Sequence, residues 1–193
     1  MALLPYVDPD DPGLSSEVSE LLSADAETFG RPSLFARVLA HNPDVLDARM
    51  TYADQILTGE SVDAELKELV YVAISTANDC EYCLASHTEH LIEEVGMEDS
   101  RVTAVSRGDL SSFEATERAV IEFGQQVATD PKRVSENHLD NLREVGFDDT
   151  DVVELTVACS AAVAANTIAD SLNVLPQDRD AVFSGSTADG TGD

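Results

Sequence analysis

LKELVYVAISTANDCEYCLASHTEHLIEEVG, residues 66–96, contains two amphipathic segments that are separated by Asn78 and Asp79. Apolar residues in the first segment recur three and four positions apart, which is the spacing of one face of an α-helix. These residues are Leu66, Leu69, Val70, Ala73, Ile74 and Ala77. The second segment is predicted to form a helix from Cys80 to position 94 or 95, because Gly96 is typical just after a helix C-terminus. The stretch therefore predicts a hairpin of two antiparallel helices.

The same spacing of apolar residues continues along most of the chain, whereas alternating, strand-like runs are rare. It predicts an all-α helical bundle, with one domain over residues 1–176 and a polar, mobile tail at 177–193. Capping residues and helix breakers predict the other helices. They run from Ser15 or Ser16 to Gly30, from Ser33 through Leu39, from Pro43 to Leu57, from Ser61 or Asp63 to Ala77, and at 100–107, 112–129, 135–145 and 149–173.

An internal two-fold helical repeat is also predicted. Glu68 and the apolar residues after it resemble Glu154 and the residues after it, 86 positions later. At that offset Asn166 takes the place of Cys80 and Ala169 that of Cys83, so the second copy would keep the helices and lack the cysteines. Chance similarity between two amphipathic helices is the alternative.

The charge of the chain restricts its partners. Acidic residues outnumber basic ones by 38 to 11, which gives the 193 residues a formal charge of −27. Such a surface repels nucleic acid and anionic membranes, so we expect neither as a partner. The 43% of apolar residues supply the burial that acidic disordered chains lack. The spread of acids along the chain suggests a protein adapted to high salt, as in a halophile.

The cellular location is predicted from what the chain lacks. The first residues have neither the basic nor the apolar region of a signal peptide. The most apolar run, 155–165, is shorter than the roughly 20 residues that span a bilayer. We therefore expect a cytoplasmic protein in which the three cysteines serve catalysis or metal binding rather than a disulfide framework.

Cys80 and Cys83 form a C-x-x-C pair in the first turn of a predicted helix, with Asn78 and Asp79 as candidate N-caps. Exposed N–H groups and the helix dipole stabilise a thiolate at this position. Residues three apart on a helix lie roughly 5–6 Å apart, within the range of a disulfide. The pair could therefore cycle between dithiol and disulfide.

His87 lies four residues after Cys83 and hence on the same helical face, where its imidazole can accept the thiol proton. The rise of about 1.5 Å per residue places Glu68 roughly 13 Å back from the turn, at the level of residues 87–89. We therefore expect Glu68 to face His87, orient its ring and stabilise its charged form.

Other uses of these residues are less consistent with the pattern. Cys80, Cys83, His87 and His90 resemble four zinc ligands, but Cys80 and His90 lie about 15 Å apart on one continuous helix. We expect no metal and no cofactor. Cys159 lies in an apolar run and is predicted to be a buried small hydrophobe. Tyr82 is a candidate for lining a substrate pocket, with simple helix packing as the alternative.

Glu68, Cys80, Cys83 and His87 resemble the Glu-x11-Cys-x-x-Cys-x3-His pattern of redox members of the alkylhydroperoxidase D-like, carboxymuconolactone decarboxylase superfamily. The likeness is strong over residues 66–96 and looser over 43–176, and it looks like the peroxidase-related branch. It implies an all-helical fold, homo-oligomers such as trimers or hexamers, and the reduction of hydroperoxides. The electrons would come from a dithiol reductant protein or a lipoyl-type donor.

The resemblance also implies roles for the four residues. Cys83 would attack the peroxide, Cys80 would resolve the sulfenic acid as a disulfide, and Glu68 and His87 would move protons. Some members have a second histidine between the cysteines, where this chain has Tyr82, which implies a shorter proton path and a lower rate. The residues alone leave the order of the thiols open, because Cys80 is nearer the helix end and Cys83 is nearer the base.

Two other functions fit the sequence. One is a lyase like the carboxymuconolactone decarboxylases, for which a dithiol has no evident use. The other is a non-enzymatic helical subunit in which the cysteine pair senses oxidants. Turnover separates them, because a sensor is oxidised once whereas an enzyme consumes peroxide in excess of protein.

Overall fold

The computed structural model describes residues 2–176, and within them the chain forms nine α-helices and no strand. The predicted all-α fold is confirmed. The helices are α1 (Ser16–Phe29), α2 (Leu34–Leu39), α3 (Pro43–Leu57), α4 (Ala64–Ala77), α5 (Glu81–Glu93), α6 (Asp99–Ser106), α7 (Ala115–Thr129), α8 (Glu136–Glu144) and α9 (Asp149–Ser171). The predicted mobile tail, 177–193, lies outside the described residues.

Side-chain caps explain why several helices begin where the sequence predicted. The side chains of Ser15, Ser33 and Asn42 accept hydrogen bonds from the first free N–H groups of α1, α2 and α3. A short 3-10 helix, Pro131–Arg133, was not predicted and connects α7 to α8.

Helix α4 is the centre of the bundle and packs against α5, α6, α7 and α9. All of its residues from Lys67 to Ser75 are buried, which explains why the apolar pattern of this segment is nearly continuous. It packs tightly against α7 at Gly124, where an added Cβ would lie 3.0 Å from Val70 Cγ1. A larger residue at Gly124 would push the two helices apart.

A buried cation ties three parts of the bundle together. The Lys67 ammonium is fully buried and donates hydrogen bonds to the carbonyl oxygens of Ile56 at 2.9 Å and Gly59 at 2.7 Å. It also pairs with the Glu154 carboxylate of α9 at 2.5 Å. That carboxylate accepts the Val62 N–H in turn, so the start of α4, the end of α3 and the start of α9 share one polar junction.

Within residues 2–176, one helix, α9, has the length and apolar composition needed to cross a membrane. It is longer than the apolar run at 155–165 noted in the sequence. A core helix passes the same test. Helix α9 packs on α3, α4, α5 and α7 through its buried side chains, which include Leu155, Cys159 and Asn166. The finding therefore does not by itself indicate a membrane span. The internal repeat stays a prediction.

Candidate active site

The two cysteines lie at the turn between α4 and α5. Asn78 ends α4, and Asp79 adopts a left-handed conformation with φ of 57°. The Cys80 N–H then donates to the Ser75 carbonyl at 3.0 Å, and Cys80 is itself the N-cap residue of α5, without a side-chain capping bond. The prediction that Asn78 or Asp79 caps this helix was therefore wrong, because both residues are used to close the turn.

Asn78 instead connects the turn to α9. Its amide donates to the Asn166 side-chain oxygen at 2.9 Å, and the Asn166 amide donates to the Ser75 hydroxyl at 3.1 Å. The Cys80 thiol lies 4.0 Å from the Asn166 carbonyl oxygen. Since Asn166 and Ser75 are almost fully buried, this network fixes the cysteine turn against the C-terminal half of α9.

The pKa values of the two buried thiols are shifted in opposite directions. A hydrogen bond from Cys80 lowers the pKa of Cys83 to about 7 against the effect of burial, and the charge of His87 and a hydrogen bond from Asn166 lower it further. The charge of Asp170 acts in the other direction. The same hydrogen bond to Cys83, together with burial, raises the pKa of Cys80. Cys83 is therefore the more acidic thiol, although Cys80 is nearer the helix end.

Glu68 and His87 lie in contact, as the helical rise predicted. His87 Nδ1 and Glu68 Oε2 are 2.6 Å apart, and both side chains are largely shielded from solvent. Burial acts to lower the pKa of His87, but the Glu68 charge and hydrogen bond outweigh it and raise this pKa above its ordinary value. Burial acts to raise the pKa of Glu68, and the charge and hydrogen bond of His87 lower it overall. Glu68 thus favours the charged form of His87, and that charge acts on the Cys83 thiol.

Two cavities adjoin this group of residues, and Tyr82 lines both. The smaller has a volume of about 130 Å³ and contains Cys83 and His87 in its wall, whereas the larger, about 340 Å³, contains neither cysteine. The Tyr82 hydroxyl accepts the Phe35 N–H at 3.2 Å, and the two rings are stacked with centroids 6.1 Å apart. Tyr82 thus packs against α2 and lines both cavities, and its role in substrate binding stays a prediction.

A model of the carboxymuconolactone decarboxylase family matches residues 43–120. This range includes α3, α4 and α5, and with them Glu68, both cysteines and His87. The likeness to this family therefore covers about two fifths of the chain, including all four candidate site residues. A comparison with curated proteins gave no match.

Several solved structures share the fold of this chain over most of its length. A peroxidase-related protein with the alkylhydroperoxidase core from Ralstonia eutropha has a TM-score of 0.82 at 23% identity and covers 92% of this chain and 93% of its own. A peroxidase-related protein from Silicibacter sp. has a TM-score of 0.82 at 21% identity, with 91% and 92% covered. The debrominase Bmp8 has a TM-score of 0.73 at 18% identity, with 84% and 87% covered. At these identities the likeness shows the fold.

Nothing in the sequence indicated that two polar residues, Arg49 and Tyr71, line the smaller cavity. Arg49 comes from α3, and Tyr71 belongs to the apolar face of α4 with its ring 4.4 Å from that of His87. From the sequence alone, Tyr71 cannot be distinguished from an aromatic residue that only packs in the core. The only available signal for Arg49 was the scarcity of basic residues, 11 in the chain.

Neither the zinc hypothesis nor a third redox thiol is supported by side-chain positions. Over residues 2–176, no group of three or more His, Cys, Asp or Glu side chains is arranged to hold a metal ion. Cys159 is fully buried, as predicted, and burial raises its pKa to about 12. A thiol with this pKa stays protonated at neutral pH and has little nucleophilicity.

Proposed function

We propose that this protein is a thiol-dependent peroxidase that reduces hydroperoxides through a dithiol–disulfide cycle of Cys83 and Cys80. The observation that carries the proposal is the geometry beside Cys83: this buried thiol shares a cavity wall with His87, which is paired with Glu68 at 2.6 Å and whose charge acts to lower the pKa of Cys83. A buried cysteine without such partners has a raised pKa, as Cys159 does. The two cysteines therefore differ by environment in the way that a nucleophilic thiol differs from a structural one.

In the first step, the Cys83 thiolate attacks the terminal oxygen of the hydroperoxide. The O–O bond breaks, Cys83 is oxidised to a sulfenic acid, and the alkoxide that leaves takes a proton from His87 to give the alcohol. The Cys80 thiol then displaces hydroxide from the sulfenic acid, and its own proton completes a water molecule. The products are the Cys80–Cys83 disulfide, one alcohol and one water.

A dithiol donor closes the cycle by exchange with the disulfide, which restores the Cys80 thiol, the Cys83 thiolate and the proton on His87. Both sulfur atoms are buried, so the donor must reach them through the cavity beside Cys83. A slender lipoyl-type dithiol satisfies this requirement more readily than a cysteine pair on the flat surface of a reductant protein.

Glu68 acts as a positioning residue in this cycle. Its contact with His87 at 2.6 Å fixes which ring nitrogen carries the second proton and keeps the imidazole charged beside Cys83. The charge of His87 then favours the thiolate, and its proton is available to the leaving alkoxide.

The test measures peroxide loss with excess tert-butyl hydroperoxide and dihydrolipoamide. With the dithiol present, the wild-type chain is expected to consume many equivalents of peroxide and Cys83→Ser none. Without the dithiol, Cys80→Ser given one equivalent of peroxide should consume it and keep a sulfenic acid trapped on Cys83. Cys159→Ser is the matched control and should retain full turnover. If Cys83→Ser turns over peroxide, or Cys80→Ser cycles like the wild type, the proposal is wrong.

The two alternatives have their own signatures. A thiol-sensing subunit stops after one equivalent of peroxide with every dithiol offered. A decarboxylase-like lyase releases carbon dioxide from a lactone acid, and its rate does not change when Cys83 is replaced by serine.

We also propose that the chain forms a cytoplasmic homo-oligomer. Between positions 153 and 167 of α9, the exposed residues carry no charge, which is unusual for a chain with a formal charge of −27. They are Val153, Thr156, Val157, Ser160, Ala164 and Thr167. Uncharged small side chains on a helix allow a second helix to pack closely, so this face fits a contact between copies.

A further inference from the structure

Arg49 of α3 carries a charge that the described chain does not neutralise. Its Nε and Nη1 atoms are buried and have no hydrogen-bond partner. The guanidinium lies 6.0 Å from the ring centroids of both Phe35 and Tyr52, and among residues 2–176 it forms no ion pair with a carboxylate. An arginine cannot release its proton to avoid this cost, so buried guanidinium donors call for an acceptor.

The unpaired donors border the cavity of about 130 Å³ beside Cys83. Tyr71 lines the same cavity, and its buried hydroxyl has no partner in the described chain other than the neighbouring Arg49 guanidinium. The charge of Arg49 and a hydrogen bond from it act to lower the pKa of Tyr71, and its charge acts to lower the pKa of His87, so the guanidinium lies near both groups. The remaining wall is mostly apolar and includes Leu46, Met50, Ala53 and Leu57.

The acidic groups near this cavity already have partners. The Asp25 carboxylate accepts the Ser33 N–H at 2.6 Å, and burial raises its pKa, which favours its neutral form. Cys83 has its hydrogen bond from Cys80 and the charge of His87. The Arg49 guanidinium therefore has no carboxylate partner among the described residues, and it borders a mostly apolar cavity whose wall contains Cys83.

We infer that Arg49 and Tyr71 bind the negatively charged head group of the substrate, and that Cys83 acts on small apolar organic compounds that bear a carboxylate. Two charged donors and a phenolic hydroxyl match the oxygens of a carboxylate, and the apolar wall matches a short hydrocarbon body. The chemistry rests on the peroxidase proposed above, so a carboxylate-bearing hydroperoxide is the substrate class, whereas the binding site itself is testable without peroxide.

Benzoate and benzamide are the probes, because they differ mainly in charge and neither reacts with a thiol. Each is titrated against the rate at which iodoacetamide, a neutral reagent, alkylates Cys83, followed by mass spectrometry of the peptide that contains it. Benzoate is expected to protect Cys83 at a concentration roughly tenfold lower than benzamide, the effect of one charge-assisted hydrogen bond.

Matched variants assign the preference to Arg49. Arg49→Gln should remove the difference between the two probes, and Arg49→Lys should retain part of it. Arg133→Gln changes the net charge equally at an exposed residue outside the cavity and should leave the preference intact. A preference that persists in Arg49→Gln, or no preference in the wild type, overturns the inference.

Two further outcomes are informative. If Arg49→Gln does not fold, Tyr71→Phe takes its place and should reduce the benzoate preference by about two- to tenfold, whereas an unchanged preference overturns the inference. If neither probe protects Cys83 and Arg49→Gln alters the sedimentation coefficient, the guanidinium pairs with a second copy and the inference is also wrong. Benzoate protection in a chain that consumes no peroxide would support this site and refute the peroxidase.

Discussion

Replacement of Glu68 by glutamine isolates the charge of the carboxylate while keeping its size. In the wild type, the Glu68 carboxylate is 2.6 Å from His87 and overcomes the burial that would otherwise lower the pKa of the imidazole. In Glu68→Gln the burial remains and the charge is lost, so we expect His87 to become neutral at pH 7. Cys83 then loses the positive charge that favours its thiolate.

The size of the effect follows from the pKa of Cys83. At a pKa of about 7, half of the thiol is ionised at pH 7. In Glu68→Gln the hydrogen bond from Cys80 remains and only the charge of His87 is lost, so we expect the pKa of Cys83 to rise by about one unit and alkylation at pH 7 to slow by about fivefold. Near pH 10 the two proteins should react at similar rates, because Cys83 is then ionised in both.

The assay is the pH profile of Cys83 alkylation by iodoacetamide from pH 5 to pH 10. Glu117→Gln is the control, because Glu117 also forms an ion pair, with Arg101 at 2.7 Å, but contacts neither cysteine. The profile of Glu68→Gln should have a midpoint shifted to higher pH, and that of Glu117→Gln should match the wild type. A rate that falls equally at every pH in Glu68→Gln, with an unchanged midpoint, refutes the relay and indicates a structural role.

The same pair predicts how stability depends on pH. Because the pKa of His87 is raised, its contribution is fully present below about pH 6.5 and is lost as the pH rises through the raised pKa. Because the pKa of Glu68 is lowered, its contribution is present above about pH 4.5 and is lost as the pH falls through that pKa. Glu68→Gln should therefore cost about 1.5–3 kcal/mol in urea unfolding near pH 6, and less at pH 10.

Three other predictions test the scaffold. Glu154→Gln leaves the Lys67 ammonium buried without its carboxylate, so the free energy of unfolding should fall by about 3 kcal/mol. A loss below about 1 kcal/mol in urea titrations would contradict the stabilising role of this ion pair. Cys159 should resist iodoacetamide in the native protein and react only after unfolding, as followed by mass spectrometry. Sedimentation in molar salt should give a trimer or hexamer that dissociates or unfolds in dilute buffer, where the charge of −27 is poorly screened, whereas a micromolar monomer in molar salt rules out the oligomer.

Local signals predicted the helices well because they act within a few residues. Ser33 and Asn42 cap α2 and α3 by accepting hydrogen bonds from N–H groups three positions later in the chain. Contacts over such a short separation can be predicted from the sequence. The contact of Glu68 with His87 was also predictable, since a tight hairpin of two regular helices fixes which levels face each other.

Contacts between distant segments were not predictable in the same way. The Asn78 side chain donates a hydrogen bond to Asn166, which is 88 residues away in the sequence. It therefore does not cap α5, although its position had suggested that role. The greater acidity of Cys83 depends on the direction of one hydrogen bond between two thiols, which the helix-end argument does not contain. Arg49 reaches the cavity only because α3 packs beside α4 and α9, and no spacing within α3 indicates this.

The charge of the whole chain is opposite to the charge of the Arg49 guanidinium, and this difference determines how salt should act on an anionic ligand. The chain carries −27 in total, whereas Arg49 is positive, has buried Nε and Nη1 atoms and forms no ion pair within residues 2–176. The screening length falls from about 8 Å at physiological ionic strength to about 3 Å in 1 M salt, and buried pairs are screened much less than exposed ones. Added salt should therefore weaken the long-range repulsion of benzoate more than its contact with Arg49. Protection of Cys83 by benzoate should then strengthen between 0.1 and 1 M potassium chloride, relative to benzamide as the neutral reference. A steady weakening over this range would mean that the attraction comes from exposed charges rather than from the buried guanidinium.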